Sequence, residues 1–143
     1  MSAQANSLAH QASVVAINGR AVMIEGEPGI GKSALAHMLI DRGAVLIGDD
    51  GVMLDMRDGR LWAAPHPATR GLFEIRNVGI VTMPVVSARV ALVLILARDA
   101  PRYVEKAACV LRGGCVIPAL TLFADTPALP LRAEAALSLH GLE

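Results

Sequence analysis

Aromatic side chains are nearly absent: the 143 residues hold one Trp, one Tyr and two Phe. Trp62, Phe73, Tyr103 and Phe123 are too few and too scattered to build a stacking platform for bases. Charge of one sign is also missing, with 13 basic and 13 acidic residues. No basic stripe of the kind that neutralises a nucleic-acid backbone is visible, so no nucleic-acid partner is expected. No apolar run approaches bilayer length; the longest, VALVLILA at Val90–Ala97, suits a buried strand. The opening MSAQANSLAHQAS has neither a basic start nor an apolar stretch, so neither a signal peptide nor a membrane partner is expected. Two cysteines, Cys109 and Cys115, make no disulfide framework and read as buried free thiols. With 54% hydrophobic and 18% charged residues, the expectation is one soluble cytoplasmic domain over 1–143 with a sizeable core.

What is abundant is strand and turn chemistry. VVAI (Val14–Ile17) and AVMI (Ala21–Ile24) flank Asn18-Gly19, a strong hairpin signal. A glycine-rich loop, Gly26–Gly31, follows. Leu35, Met38 and Leu39 then recur at helical spacing over Ser33–Arg42, with Gly43 as the stop. AVLI (Ala44–Ile47) is the next buried strand, ending at Gly48-Asp49-Asp50. Val52–Leu54 and Leu61–Ala63 read as a hairpin turned at Asp58-Gly59. Leu72–Ile75 is strand or turn. Ile80–Val86 holds Pro84 and is an edge strand at best, and Pro118 demotes the strand candidate Cys115–Leu122 in the same way. Leu131–His140 is a closing helix. The fold class is α/β: a mixed, partly parallel sheet carrying a phosphate loop, with flanking helices.

Gly26-Glu27-Pro28-Gly29-Ile30-Gly31-Lys32-Ser33 fits G-x-x-x-x-G-K-[ST] without mismatch. Glycines let the backbone turn several N–H groups toward phosphate oxygens, and the following helix adds its positive end. Lys32 supplies a mobile charge for the outer phosphates of ATP, and Ser33 a hydroxyl for Mg²⁺. Asp49 and Asp50 end a strand near the phosphates if AVLI runs parallel to AVMI. Adjacent strand residues face opposite ways, so one carboxylate serves the metal and the other the attacking hydroxyl. Asp49, first after the strand, is the first choice as base and Asp50 as metal ligand; strand twist could exchange them.

Other phosphate-loop classes lack their marks. No N-K-x-D base reader occurs. Leu111-Arg112-Gly113-Gly114-Cys115 imitates an ABC-type signature, but the VIPAL that follows is unfit for a helix, so it reads as a glycine turn between strands. Asp99 lies beyond its apolar run and before Ala-Pro, which suits a loop. His37, His66 and His140 read as surface or half-buried residues without a chemical role.

The phosphate loop, the helix ending in Asp-Arg-Gly and the strand ending in Asp-Asp together resemble the catalytic domain of HPr kinase/phosphorylase. Leu72-Phe73-Glu74-Ile75-Arg76-Asn77-Val78-Gly79-Ile80 is similar to the family's second signature, L-E-I-R-G-x-G-I, with Phe73 inserted and Asn77 where glycine is usual. His10 resembles the family's histidine one hairpin before the phosphate loop, with one extra residue before the strand. The likeness runs roughly from His10 to Leu137 and is to the short form that lacks a separate N-terminal domain. It implies an ATP-dependent serine kinase acting on the phosphocarrier HPr, with phosphorolysis as the reverse activity and a homo-oligomer, commonly a hexamer. It implies Glu74 as a second Mg²⁺ ligand, Arg76 as a residue shaping both activities, and His10 as an aid near the transferred phosphate. A phosphate-loop ATPase or nucleotide-sensing regulator is the alternative, and a binding-only adaptor a third. Five groups suited to one magnesium phosphate (Lys32, Ser33, Asp49, Asp50, Glu74) favour an enzyme.

Overall fold

The computed structural model describes residues 7–143. The chain enters as β1 (Leu8–His10), then forms β2 (Ser13–Ile17) and β3 (Arg20–Glu25). Asn18 and Gly19 take φ of 50° and 81°, the two left-handed positions that a two-residue hairpin turn demands. The turn sets the register from Ile17↔Arg20 to Ser13↔Ile24. Helix α1 (Lys32–Asp41) follows, then β4 (Val45–Gly48). β4 pairs antiparallel with β2. It therefore runs parallel to β3, as the aspartates require, but with β2 between them.

The second hairpin is β5 (Val52–Arg57) and β6 (Arg60–Pro65), and β1 lies on the outer edge of β5 in antiparallel register. A separate two-stranded sheet, β7 (Leu72–Ile75) and β8 (Gly79–Thr82), resolves Leu72–Ile75 as a strand. β8 stops before Pro84, and Val85 makes only an isolated bridge to Leu46. Strand β9 (Ala88–Ala97) is central. One edge pairs parallel with β3. The other is divided between β6 at Ala88–Arg89 and β11 (Cys115–Phe123) from Val93 onward.

Strand β10 (Ala108–Arg112) joins β11 through Gly113-Gly114, so the expected glycine turn is present. Pro118 does not demote β11. Pairing with β9 begins at Ala119, so no bond to β9 is lost at the proline. Cys109 is exposed and Cys115 buried, both free, so the expectation of two buried thiols fails for Cys109. Helix α2 (Leu129–His140) begins two residues earlier than the spacing suggested, with proline in its first turn. No helix among the described residues is long and apolar enough to cross a membrane.

Alternation along the strands divides the core. Val22 and Ile24 of β3 face Leu35 and Leu39 of α1 and Ala133 and Leu137 of α2. Ala21 and Met23 face the other way, into a strand-only core with Leu54, Leu61 and Ile117. β9 is buried on both faces, which explains its unbroken apolar run. The register shifts where Ala21↔Val90 gives way to Val22↔Leu92, leaving Ala91 extra. Ala91 and Leu92 accordingly both face the helices.

Candidate active site

The phosphate loop leaves β3 at Glu25. Gly26 takes φ 151°, and a Cβ there would lie 2.9 Å from both the Leu96 carbonyl oxygen and Ile30 Cγ2. Only glycine passes between them. Gly31, at φ 114°, is the N-cap of α1; no side chain caps this helix and no acid lies in its first turn. Its free amides and positive end suit an anion. Lys32 Nζ reaches back over the loop, donating to the Gly26 and Glu27 carbonyls at 2.8 and 3.1 Å. Arg98, just past β9, forms an exposed ion pair with Glu27.

The strand β4 delivers the aspartates beside the loop. Gly48 makes this possible, since a Cβ there would lie 2.4 Å from the Gly51 carbonyl oxygen. Asp49 Oδ1 accepts from Ser33 Oγ at 2.8 Å and from Ser13 Oγ at 2.9 Å. Asp50 takes φ 63° and turns outward, exposed, with Gln11 Nε2 donating to it at 3.4 Å. Asp49, the first choice as base, is thus engaged with the hydroxyl expected to hold the metal. Asp50 makes no contact with that hydroxyl and is met by Gln11 instead. Asp49, and not Asp50, is therefore the carboxylate that meets Ser33.

The β7–β8 hairpin forms the opposite wall. Phe73 is 1% exposed and its ring centroid lies 5.5 Å from that of His37 on α1. This anchors the hairpin, so the residue inserted into the family pattern is the one that seats it. Asn77 takes φ 70°, a left-handed conformation that asparagine tolerates better than most residues, which is how it stands in for glycine. A cleft of about 610 Å³ results, lined by Pro28, Gly29, Gly31, Lys32, Ser33, Asp49, Asp50, Glu74 and Arg76, among others. Neither Glu74 nor Arg76 takes part in an ion pair among the described residues.

His10 is not brought into the cleft. Its Nε2 lies 2.8 Å from Glu25 Oε2, and its neighbour Gln11 lines the cleft instead. The catalytic role implied for His10 therefore has no support in the geometry. Glu25 also receives Arg112, through Nε at 2.9 Å and a terminal nitrogen at 2.7 Å. Burial alone would raise the Glu25 carboxyl, but hydrogen bonds from Arg112 and His10 and their charges outweigh it and hold it at about 2. His66 Nδ1 accepts from the Ala68 amide, a turn-stabilising role, and Asp99 accepts from the Ala100 amide in a loop.

Sequence reasoning missed Ser13, Gln11 and His37. Ser13 was within reach: a two-residue turn at Asn18-Gly19 sets it opposite Ile24, beside the loop. Gln11 and His37 carried no local signal. Among the described residues no three His, Cys, Asp or Glu side chains cluster at metal-binding separations. Mg²⁺ on a nucleotide does not require such a cage, because it is held through one or two carboxylates, water and the phosphates. The Ser33–Asp49 pair at the foot of α1 has the oxygen chemistry for it.

The chain is similar to known proteins over much of its length. The curated HPr kinase/phosphorylase of Streptococcus thermophilus is 45% identical over 81 residues, covering 53% of this chain and 26% of that protein. That of Clostridium tetani is 39% identical over 71 residues, covering 50% and 23%. The matched segment thus spans about a quarter of each relative. The solved structure of the Hpr(Ser) kinase/phosphatase from Coxiella burnetii superposes with a TM-score of 0.80 at 26% identity, covering 92% of this chain and 94% of that one. Residues 2–88, which include the phosphate loop, both aspartates and the β7–β8 hairpin, match the HPr Serine kinase C-terminal domain, and the chain belongs to that family.

Proposed function

We propose that the chain is an ATP-dependent protein-serine kinase of the HPr type, cytoplasmic and oligomeric, with an HPr-like phosphocarrier as its substrate. The observation that carries this reading is the contact of Ser33 Oγ with Asp49 Oδ1 at 2.8 Å, with Asp50 exposed beside it and bonded only to Gln11 among the described residues. A phosphate-loop hydroxyl joined to an acid from a parallel strand of the same sheet suits magnesium-dependent phosphoryl transfer.

The residues then divide the work. Loop amides from Gly26 to Ser33 and the Lys32 ammonium hold the nucleotide phosphates. Ser33 and Asp49 would hold Mg²⁺ from below, and Glu74 from the facing wall. When bound, the ion neutralises phosphate oxygens as charge develops on them. Asp50, exposed at the mouth, accepts the proton of the incoming serine hydroxyl; the serine oxygen bonds to the γ-phosphorus as the bond from that phosphorus to the β–γ bridging oxygen breaks and ADP leaves. Arg76 stands on the same wall to orient the two reactants. Most of the rate enhancement comes from positioning and charge neutralisation, with little for a base to do beyond taking one proton.

The test is incubation with a purified HPr-like carrier, ATP and Mg²⁺, followed by intact-mass measurement of the carrier. A gain of one phosphoryl group, located on serine, supports the kinase. ATP turnover with no modified carrier would instead identify a phosphate-loop ATPase.

A further inference from the structure

Glu25 is the last residue before the phosphate loop, yet its side chain faces away from the cleft. Ala21 and Met23, on the same face of β3, belong to the strand-only core, so the carboxylate emerges beneath the loop. There it is 15% exposed and joined to two partners from distant parts of the chain. Arg112 closes a bidentate fork on it from the end of β10, and His10 Nε2 donates to it from β1. An ionised carboxylate can only accept, so Nε2 carries the proton.

A half-buried ion cluster gains little over apolar packing of the same volume, because desolvation offsets the attraction, although removing one partner from it is costly. An acid beneath a phosphate loop also opposes anion binding unless it is neutralised. The arrangement makes sense as geometry. His10 pairs through its backbone with Val52, just after the Asp49-Asp50-Gly51 turn. Its neighbour Gln11 donates to Asp50. The dipeptide His10-Gln11 thus touches the root of the phosphate loop with one side chain and Asp50 with the other. Gly113, beside Arg112, seats the β10–β11 turn against Leu61, where a Cβ would lie 2.6 Å from Leu61 Cδ1.

We infer that Glu25 and Arg112 are positioning residues: by fixing His10-Gln11 they set the separation between the phosphate loop and Asp50. The consequence for turnover rests on the kinase reading above; the geometric coupling does not.

The test uses the full chain with Arg112→Met, which keeps the apolar stem, with Glu25→Gln, and with Arg112→Lys, which keeps charge but not the fork. Amide hydrogen exchange, Mg-ATP affinity and transfer to the carrier are measured together. The expected result is faster exchange in both Gly26–Ser33 and Asp49–Val52, beyond any change in α2. Turnover should fall about tenfold to a hundredfold, as for an ångström-scale misplacement, while nucleotide affinity changes less. Arg112→Lys should recover part of the loss. Faster exchange confined to β10–β11, or no larger in Gly26–Ser33 and Asp49–Val52 than in α2, would overturn the proposal. If the wild-type chain transfers no phosphate to the carrier, the kinase reading fails and the paired exchange response alone decides the coupling.

Discussion

Ser33 Oγ donates to Asp49 Oδ1 across 2.8 Å although sixteen residues separate them, and the same oxygen accepts from Ser13. Helix α1 and strands β2 and β4 therefore meet at a single carboxylate oxygen. Asp50, the next residue, shares none of these bonds and faces the cleft mouth.

On the proposed mechanism this difference gives the two carboxylates different roles. Asp50→Asn should lose transfer while Mg-ATP affinity is retained, because the amide cannot take the serine proton. Asp49→Asn should weaken both nucleotide affinity and its magnesium dependence. Measuring affinity across a magnesium titration alongside transfer distinguishes the variants, and the reversed pattern would restore Asp49 as the base.

Lys32→Ala removes the ammonium that reaches over the loop. Transfer should drop on the order of a hundredfold or more, the loss expected when a donor to transition-state charge is removed. Carrier phosphorylation under saturating nucleotide is the measurement, and unchanged turnover would refute the role given to the loop.

Phe73 joins a wall of the cleft to the helix-side core. Phe73→Ala should cost about 3–5 kcal/mol, a large share of the roughly 5–15 kcal/mol that holds a domain together. Urea unfolding reads this directly. Carrier phosphorylation should fall as well, since Glu74 and Arg76 lose their support; a stability loss with full activity would show that the wall does not depend on Phe73.

The Glu25 carboxyl, lowered from its ordinary 4.5 to about 2, links stability to pH. A lowered acid stabilises the fold fully above its unfolded value and loses that contribution as pH falls through its folded value. The unfolding midpoints of the wild type and Glu25→Gln should therefore differ most above about pH 5 and converge toward pH 2. A constant difference across that range would show that ionisation of Glu25 is not what stabilises the cluster.

The features legible in the sequence were those decided by local chemistry. Asn18-Gly19 and Asp58-Gly59 specify their turns because a two-residue hairpin needs positive φ at both positions, and both pairs adopt it. Gly26 to Ser33 specifies the loop, since the glycines and the helix start lie within eight consecutive residues. The apolar run of β9 announces a strand buried on both faces. The partition of chemistry between adjacent residues was not legible. Whether Asp49 or Asp50 meets Ser33, and whether His10 or Gln11 enters the cleft, turns on a single residue of register, and one step reverses every side chain. The grip of Arg112 on Glu25 spans 87 positions. It exists because β9 divides one edge between β6 and β11, bringing the β10–β11 turn beneath the loop. No local pattern carries strand order, which follows from how the whole sheet buries its two faces; only the tertiary structure decided it.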